Sequence, residues 1–247
     1  RSRGTIGIWD CATGMQRQQI AAPDAPTALA ISPNAKWLAV AGQFQLSIYD
    51  LEKGQKLGEL PNTHQCTTIG WTDNSKLIGL VSEGRVRVWF PGSKKLMLDQ
   101  PWPIGVGGEI QLAFTPDGKR LATRFRSDTV LWDVTMGKRL AEIRDGSDAV
   151  PGLVFTADGN QLITCTETDF VFHDLTSKDA GVEDRNQQRL PIDIRPERVA
   201  FSRNGDQAVW MERLVRTPSG LKRHAFATND QEKSATESGA TASPGAG

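Results

Sequence analysis

An aromatic residue followed by aspartate recurs along this chain at nearly constant spacing, and that period restricts the fold more than any other property of the sequence. The pairs are Trp9-Asp10, Tyr49-Asp50, Trp132-Asp133 and His173-Asp174, with Trp89-Phe90 in the same phase. Successive markers lie 40, 40, 43 and 41 residues apart. A second marker keeps the same period: an apolar residue, a Ser or Thr, then a turn built on Asn or Asp. It reads Ile31-Ser32-Pro33-Asn34, Trp71-Thr72-Asp73-Asn74, Phe114-Thr115-Pro116-Asp117-Gly118, Phe155-Thr156-Ala157-Asp158-Gly159 and Phe201-Ser202-Arg203-Asn204-Gly205. Two unrelated markers sharing one period imply a repeated structural unit.

Local chemistry gives the unit its content. In Pro116-Asp117-Gly118 the proline presets φ, the aspartate bonds the backbone and the glycine accepts positive φ, so a tight turn joins two antiparallel strands. The flanking runs Ile110 to Phe114 and Leu121 to Thr123 have strand length. A third strand ends on the aromatic, as in Thr129-Val130-Leu131-Trp132, and a fourth, more polar one follows the next turn, as in Lys138 to Ile143. Four short strands per period of about 40 residues predict an all-β chain: a β-propeller of four-stranded antiparallel blades, with about five repeats present.

With these motifs the sequence resembles the WD40-repeat family over roughly residues 4 to 215. The resemblance implies a ring of blades, typically seven, whose faces hold partner proteins. The repeats are diverged. No Gly-His pair precedes a first strand, and the position six before each aromatic holds Arg3, Gln43, Glu83, Arg126 and Glu167 rather than aspartate. The family's polar network is therefore expected to be degraded and the blades to rest on apolar packing. Seven blades would need roughly 290 residues, and Gly4 to Trp9 reads as the third strand of a blade, so the expectation is an incomplete propeller, a fragment of a larger multidomain protein, the alternative being a smaller ring closed by pairing the N-terminal strand with late strands. Residues 1–224 are assigned to it. The stretch 225–247, rich in Ala, Ser, Thr and Gly, has too little apolar surface to offset its ordering entropy and is expected to be a disordered tail.

Lysine plus arginine and aspartate plus glutamate number 29 each, so no global field favours nucleic acid or an anionic membrane. No apolar run reaches membrane-spanning length. Cys11, Cys66 and Cys165 are too few and too dispersed for a disulfide framework or a zinc site. The histidines, His64, His173 and His224, form no metal-ligand pattern, and no G-x-S-x-G elbow occurs. Gly105 to Gly108 leads into a strand rather than a helix, which is a blade-to-blade loop and not a phosphate cradle. His173 is read as an aromatic filling the tryptophan position of its repeat.

The expectation is thus a non-enzyme without cofactor or metal, with a protein partner, and in the cytoplasm. A basic cluster, Arg213, Arg216, Lys222, Arg223 and His224, is read as a solvated edge. The candidate partner-binding residues lie on loops joining second and third strands, expected on one ring face: Phe44, Gln45, Glu83, Arg85, Arg126, Asp128, Glu167 and Asp169. Asp24, His64, Glu109 and Asp148 enter each blade on the same side. Phe44 and Arg126 are the expected anchors, because exposed aromatics and arginines carry disproportionate binding energy. The alternative is a ligand-sensing or regulatory propeller of an enzyme whose catalytic domain lies outside this chain.

Overall fold

The computed structural model describes residues 4–64, 66, 68–102, 110–145, 149–176, 187–192, 196–202, 205–212 and 221–225. The described elements are all β-strands, grouped in successive antiparallel sheets. The first pairs β1 (Thr5–Trp9) with β2 (Gln16–Ala21). Four-stranded sheets follow: β3 (Ala28–Ile31), β4 (Trp37–Ala41), β5 (Gln45–Asp50) and β6 (Lys56–Pro61); then β7 (Thr68–Trp71), β8 (Ile78–Ser82), β9 (Arg85–Phe90) and β10 (Lys95–Pro101). The next holds β11 (Ile110–Phe114), β12 (Arg120–Phe125), β13 (Asp128–Asp133) and β14 (Lys138–Arg144). After it come β15 (Ala149–Phe155), β16 (Gln161–Thr166), β17 (Asp169–Asp174) and β18 (Gln187–Pro191). The last is three-stranded: β19 (Pro196–Phe201), β20 (Gln207–Glu212) and β21 (Leu221–Ala225).

Each sheet is an up-and-down meander in sequence order, and the first strands β3, β7, β11, β15 and β19 stand side by side. That is the blade arrangement of a propeller. Among the described residues no strand hydrogen-bonds the last sheet to the first. Residues 226–247 and 213–220, with Arg213 and Arg216 of the basic cluster, lie outside the described residues, as do Gly105 to Gly108, Glu109 and Asp148.

The turns explain the repeated markers. Ser32, Thr72, Thr115, Thr156 and Ser202 each accept at Oγ the backbone N–H of the residue five positions on, at 2.9 to 3.1 Å. Four of these hydroxyls donate to Asn34, Asn74, Asp117 and Asp158, two residues on. The residue after that Asn or Asp must enter the left-handed region. Gly118 and Gly159 do so freely at φ 72° and 71°, while Ala35 and Ser75 are held there at 56° and 60°. The aspartate of the other marker caps the turn between third and fourth strands: Asp50 Oδ1 accepts from Glu52 N and Lys53 N at 2.8 and 2.9 Å, and Asp10 does the same for Ala12 and Thr13.

The core lies between sheets. Ala39, Leu46, Ile48, Ile78, Leu80 and Trp89 fill the junction of the second and third sheets. Val88, Trp102, Leu121, Phe125 and Trp132 fill the next one. Because every inner sheet is covered on both faces, β5, β9 and β13 bury both of their alternating side-chain sets. The first sheet lacks such cover: Trp9 is 60% exposed, whereas Trp89 and Trp132 at the same repeat position are 1% exposed.

Candidate functional site

In an up-and-down four-stranded blade, the turns between second and third strands and the connections to the next blade leave from one end. Neighbouring blades meet there. The Phe44 ring stands edge-on to His64, centroids 5.1 Å apart, and His64 Nε2 lies 3.6 Å from Glu83 Oε1. Glu83 Oε2 is 3.7 Å from Arg87, and Asp99 Oδ1 accepts from Arg85 Nε at 2.6 Å with Arg87 Nε 3.5 Å away. Phe44, Glu83 and Arg85 therefore belong to one chain of contacts. Glu83 and Gly84, at φ 52° and 67°, are the two left-handed residues of a tight hairpin turn, which pushes the glutamate outward. Phe44 remains 53% exposed despite its contact.

The other sequence-selected residues are arranged differently. Gln45, Arg85, Asp128 and Asp169 occupy equivalent positions at the start of a third strand, and three of them pair within their own blade: Arg85 with Asp99, Asp128 with Arg144 at 3.3 Å, Asp169 with Arg189 at 3.7 Å. Gln45 reaches Ser47 Oγ at 3.3 Å. Arg126 is exposed, at φ 54°, with its guanidinium 5.2 Å from the Phe125 ring centre. Glu167 is half-buried on the equivalent turn of the next blade.

A buried polar junction joins the blade of β11–β14 to that of β15–β18. Arg124 Nη1 donates to Asp145 Oδ2 at 2.6 Å, and Asp145 Oδ1 lies 3.0 Å from His173 Nε2. Thr164 Oγ1 is 2.9 Å from the same nitrogen, and Arg124 Nη2 and Nε donate to the carbonyls of Cys165 and Arg126 at 2.9 and 3.0 Å. These charged side chains are 0 to 2% exposed. Burial pushes the Asp145 carboxyl up, but His173, Arg124 and Thr164 outweigh it and hold it below its ordinary value. Burial also lowers Arg124, with Asp145 opposing that shift.

The expectation that the repeats rest mainly on apolar packing gains a polar element here. Trp132 Nε1 donates to Thr123 Oγ1 at 2.8 Å, and His173, nine residues after Thr164 as Trp132 is after Thr123, places its ring nitrogen where the indole N–H stands. The imidazole fills the tryptophan position, as the sequence suggested, and also carries a polar link that the sequence reading missed.

No family model matches the chain. It is 30% identical over 95 residues to "Small ribosomal subunit protein RACK1y" of Oryza sativa subsp. japonica, covering 35% of this chain and 28% of that protein. It is 29% identical over 97 residues to "Cross-pathway control WD-repeat protein 2" of Flammulina velutipes, covering 35% of this chain and 31% of that one. This stretch is thus similar to WD-repeat proteins, and the repeated four-stranded antiparallel sheets are consistent with a WD40 propeller. The matched stretch spans about three-tenths of these WD40 relatives. Among solved structures, hydrazine synthase of Kuenenia stuttgartiensis superposes with a TM-score of 0.60 at 16% identity, over 84% of this chain and 70% of that one, a likeness of fold alone.

Among the described residues no three His, Cys, Asp or Glu side chains converge as ligands for a metal. Burial pushes the Cys66 thiol up to about 11 and the Cys165 thiol up to about 12, values at which neither is a nucleophile near neutral pH. No helix among the described residues is long and apolar enough to cross a membrane.

Proposed function

We propose that this WD40 array is a non-catalytic scaffold that holds a protein partner on the end of the blades carrying the turns between second and third strands. The observation that carries the reading is the contact chain Phe44–His64–Glu83, which brings an exposed aromatic and unsealed charges from adjacent blades to one surface. Such an aromatic, rimmed by polar groups, is the composition of an interface anchor. The relatives' names support the same class of role, one of them being a protein of the small ribosomal subunit. Balanced charge gives no electrostatic pull toward nucleic acid or membranes. The array is further proposed to be part of a longer propeller, since Trp9, Leu29 and Ile31 expose apolar surface of 60, 55 and 60% that other blades cover.

The test is a photo-crosslinking amino acid at position 44 and, in parallel, at position 117 on the opposite end. The reading expects discrete protein adducts from position 44 that position 117 does not give. Equal adducts from both, or none from position 44, would sink it.

A further inference from the structure

One position decides how each blade junction is closed. It is the residue after the fourth strand, whose N–H bonds to the turn between second and third strands: Ala22 to Gly4 O, Thr63 to Phe44 O, Trp102 to Gly84 O, Asp145 to Ser127 O and Ile192 to Thr168 O. At four junctions this slot is filled. Thr63 is buried beside the strand that carries Arg87, whose guanidinium bonds Asn62 O and Ser82 Oγ. Trp102 packs in one cluster with Phe125 and Val130. Asp145 meets Arg124 and His173, and Ile192 joins an apolar cluster with Phe170 and Phe201.

At the first junction the slot residue is Ala22, and the strand-register equivalent of Phe125 is Gly42. Ala22 is buried and Gly42 packs against Pro23 and the Asp24 carbonyl, and beside them a cleft of about 490 Å³ runs between β2 and the β5–β6 hairpin. Its lining includes Ile20, Phe44, Tyr49, Asp24, Gln45 and Lys56. Tyr49 is the chain's single tyrosine; its phenol makes no hydrogen bond to a described residue, where the equivalent Trp132 and His173 are bonded. The cleft runs from the exposed Phe44 to the Gly54 turn at the other end of the strands, so it is elongated along β5. Lys56 is paired with Glu59, whereas Asp24 is exposed with no ion pair among the described residues, leaving the groove one unneutralised negative charge.

We propose that this cleft is a docking groove for an extended segment of a partner protein. The segment seats an apolar side chain against Ile20, Phe44 and Tyr49, and a neighbouring lysine or arginine against Asp24. The volume lies within the range of ligand pockets, about 300 to 1,000 Å³, and the shape and charge fit an apolar–basic pair on an extended chain. The inference rests on the reading of the array as a protein-binding scaffold, and it names a second surface that shares Phe44 with the first.

The test is selection of a phage-displayed random dodecapeptide library on the full 247-residue chain, followed by titration of the enriched peptides. Enriched sequences should share an aromatic or aliphatic residue next to Lys or Arg. Ala22→Trp, which plugs the slot as Trp102 does, and Asp24→Lys, an exposed charge reversal that leaves folding intact, should each weaken binding by about tenfold or more. Added salt should weaken it as well. Lys119→Ala, an exposed residue on the opposite end of another blade, should leave it unchanged. Peptides that bind Asp24→Lys and Ala22→Trp as well as the parent, or no enrichment over Ala22→Trp, overturn the groove. Binding lost in Arg126→Ala but kept in both cleft variants overturns the groove while leaving the scaffold reading standing.

Discussion

Replacing Asp145 with isoleucine, the residue at the equivalent slot of the next junction, should destabilise the protein strongly, and adding Arg124→Val should restore most of the loss. At 2.6 Å, in an effective dielectric of about 20, the pair attracts by about 6 kcal/mol, most of which offsets the desolvation of two buried charges. The net value of the intact pair is therefore small. Removing the carboxylate alone strands a guanidinium that is 2% exposed, at a cost of about 3–5 kcal/mol. For a chain of this size that is roughly 10 °C in Tm. Valine suits position 124 because Val81 and Ala41 stand at the same register position in other blades. Urea unfolding followed by tryptophan fluorescence should give a midpoint for the double variant within about 1 kcal/mol of the parent. If the double variant is as unstable as Asp145→Ile, or Asp145→Ile is neutral, the argument that the charges are retained only as a matched pair is wrong.

Three further outcomes are expected. Ala35→Gly should stabilise by about 0.5–1 kcal/mol in the same titration, since alanine is held at φ 56° where Gly118 and Gly159 sit without strain; a loss of stability would refute the turn argument. Asp10, Asp50 and Asp174 are held below their ordinary value of 3.8, first by the N–H groups of Thr13, Lys53 and Thr176, so their stabilisation is complete above that value and lost as pH falls through the lower folded ones. Tm against pH should break below about pH 4, and a fall already complete at pH 5 would contradict it. Ellman's reagent should react rapidly with one thiol per native chain, Cys11, because Cys66 and Cys165 are buried; fast labelling of all three would mean the junctions open readily.

The blade pattern was readable because it is local. Each turn is specified by residues within five positions, such as Thr115, Asp117 and Gly118, and each aromatic closes its own strand. The third-strand character of Gly4 to Trp9 could be read for the same reason, and β1 covers Thr5–Trp9. The Arg124–Asp145–His173 junction was not readable in this way, since its members come from β12, the end of β14 and β17 and meet only when two blades pack. A signal existed: His173 follows Thr164 by the nine residues that separate Trp132 from Thr123, and Arg124 stands where other repeats carry Ala41, Val81 or Cys165. Among the candidate surface residues, chain position foresaw that they share one end of the blades. It could not show that Arg85, Asp128 and Asp169 are engaged with Asp99, Arg144 and Arg189, because those partners lie on the fourth strand, whose register is set by turn length and by bulges such as that between Leu131 and Trp132.

The separation of ladder from junction explains how the repeats can diverge without losing the fold. Blade geometry is fixed by backbone pairing and by side chains that bond their own turn, so substitutions between blades are constrained only by volume and charge balance. The slot after the fourth strand accordingly holds threonine, tryptophan, aspartate or isoleucine: Trp102 packs with Phe125, Asp145 meets Arg124 and Ile192 joins Phe170, while Thr63 Oγ1 and Trp102 Nε1 are buried with no hydrogen-bond partner among the described residues. At the first junction Ala22 is buried and Pro23 with the Asp24 carbonyl packs against Gly42, so the open space is the surface cleft beside them along β5. The first junction differs from the others in having an open cleft beside it, next to Phe44, which is 53% exposed. An occupant from outside the chain gives both features one physical cause.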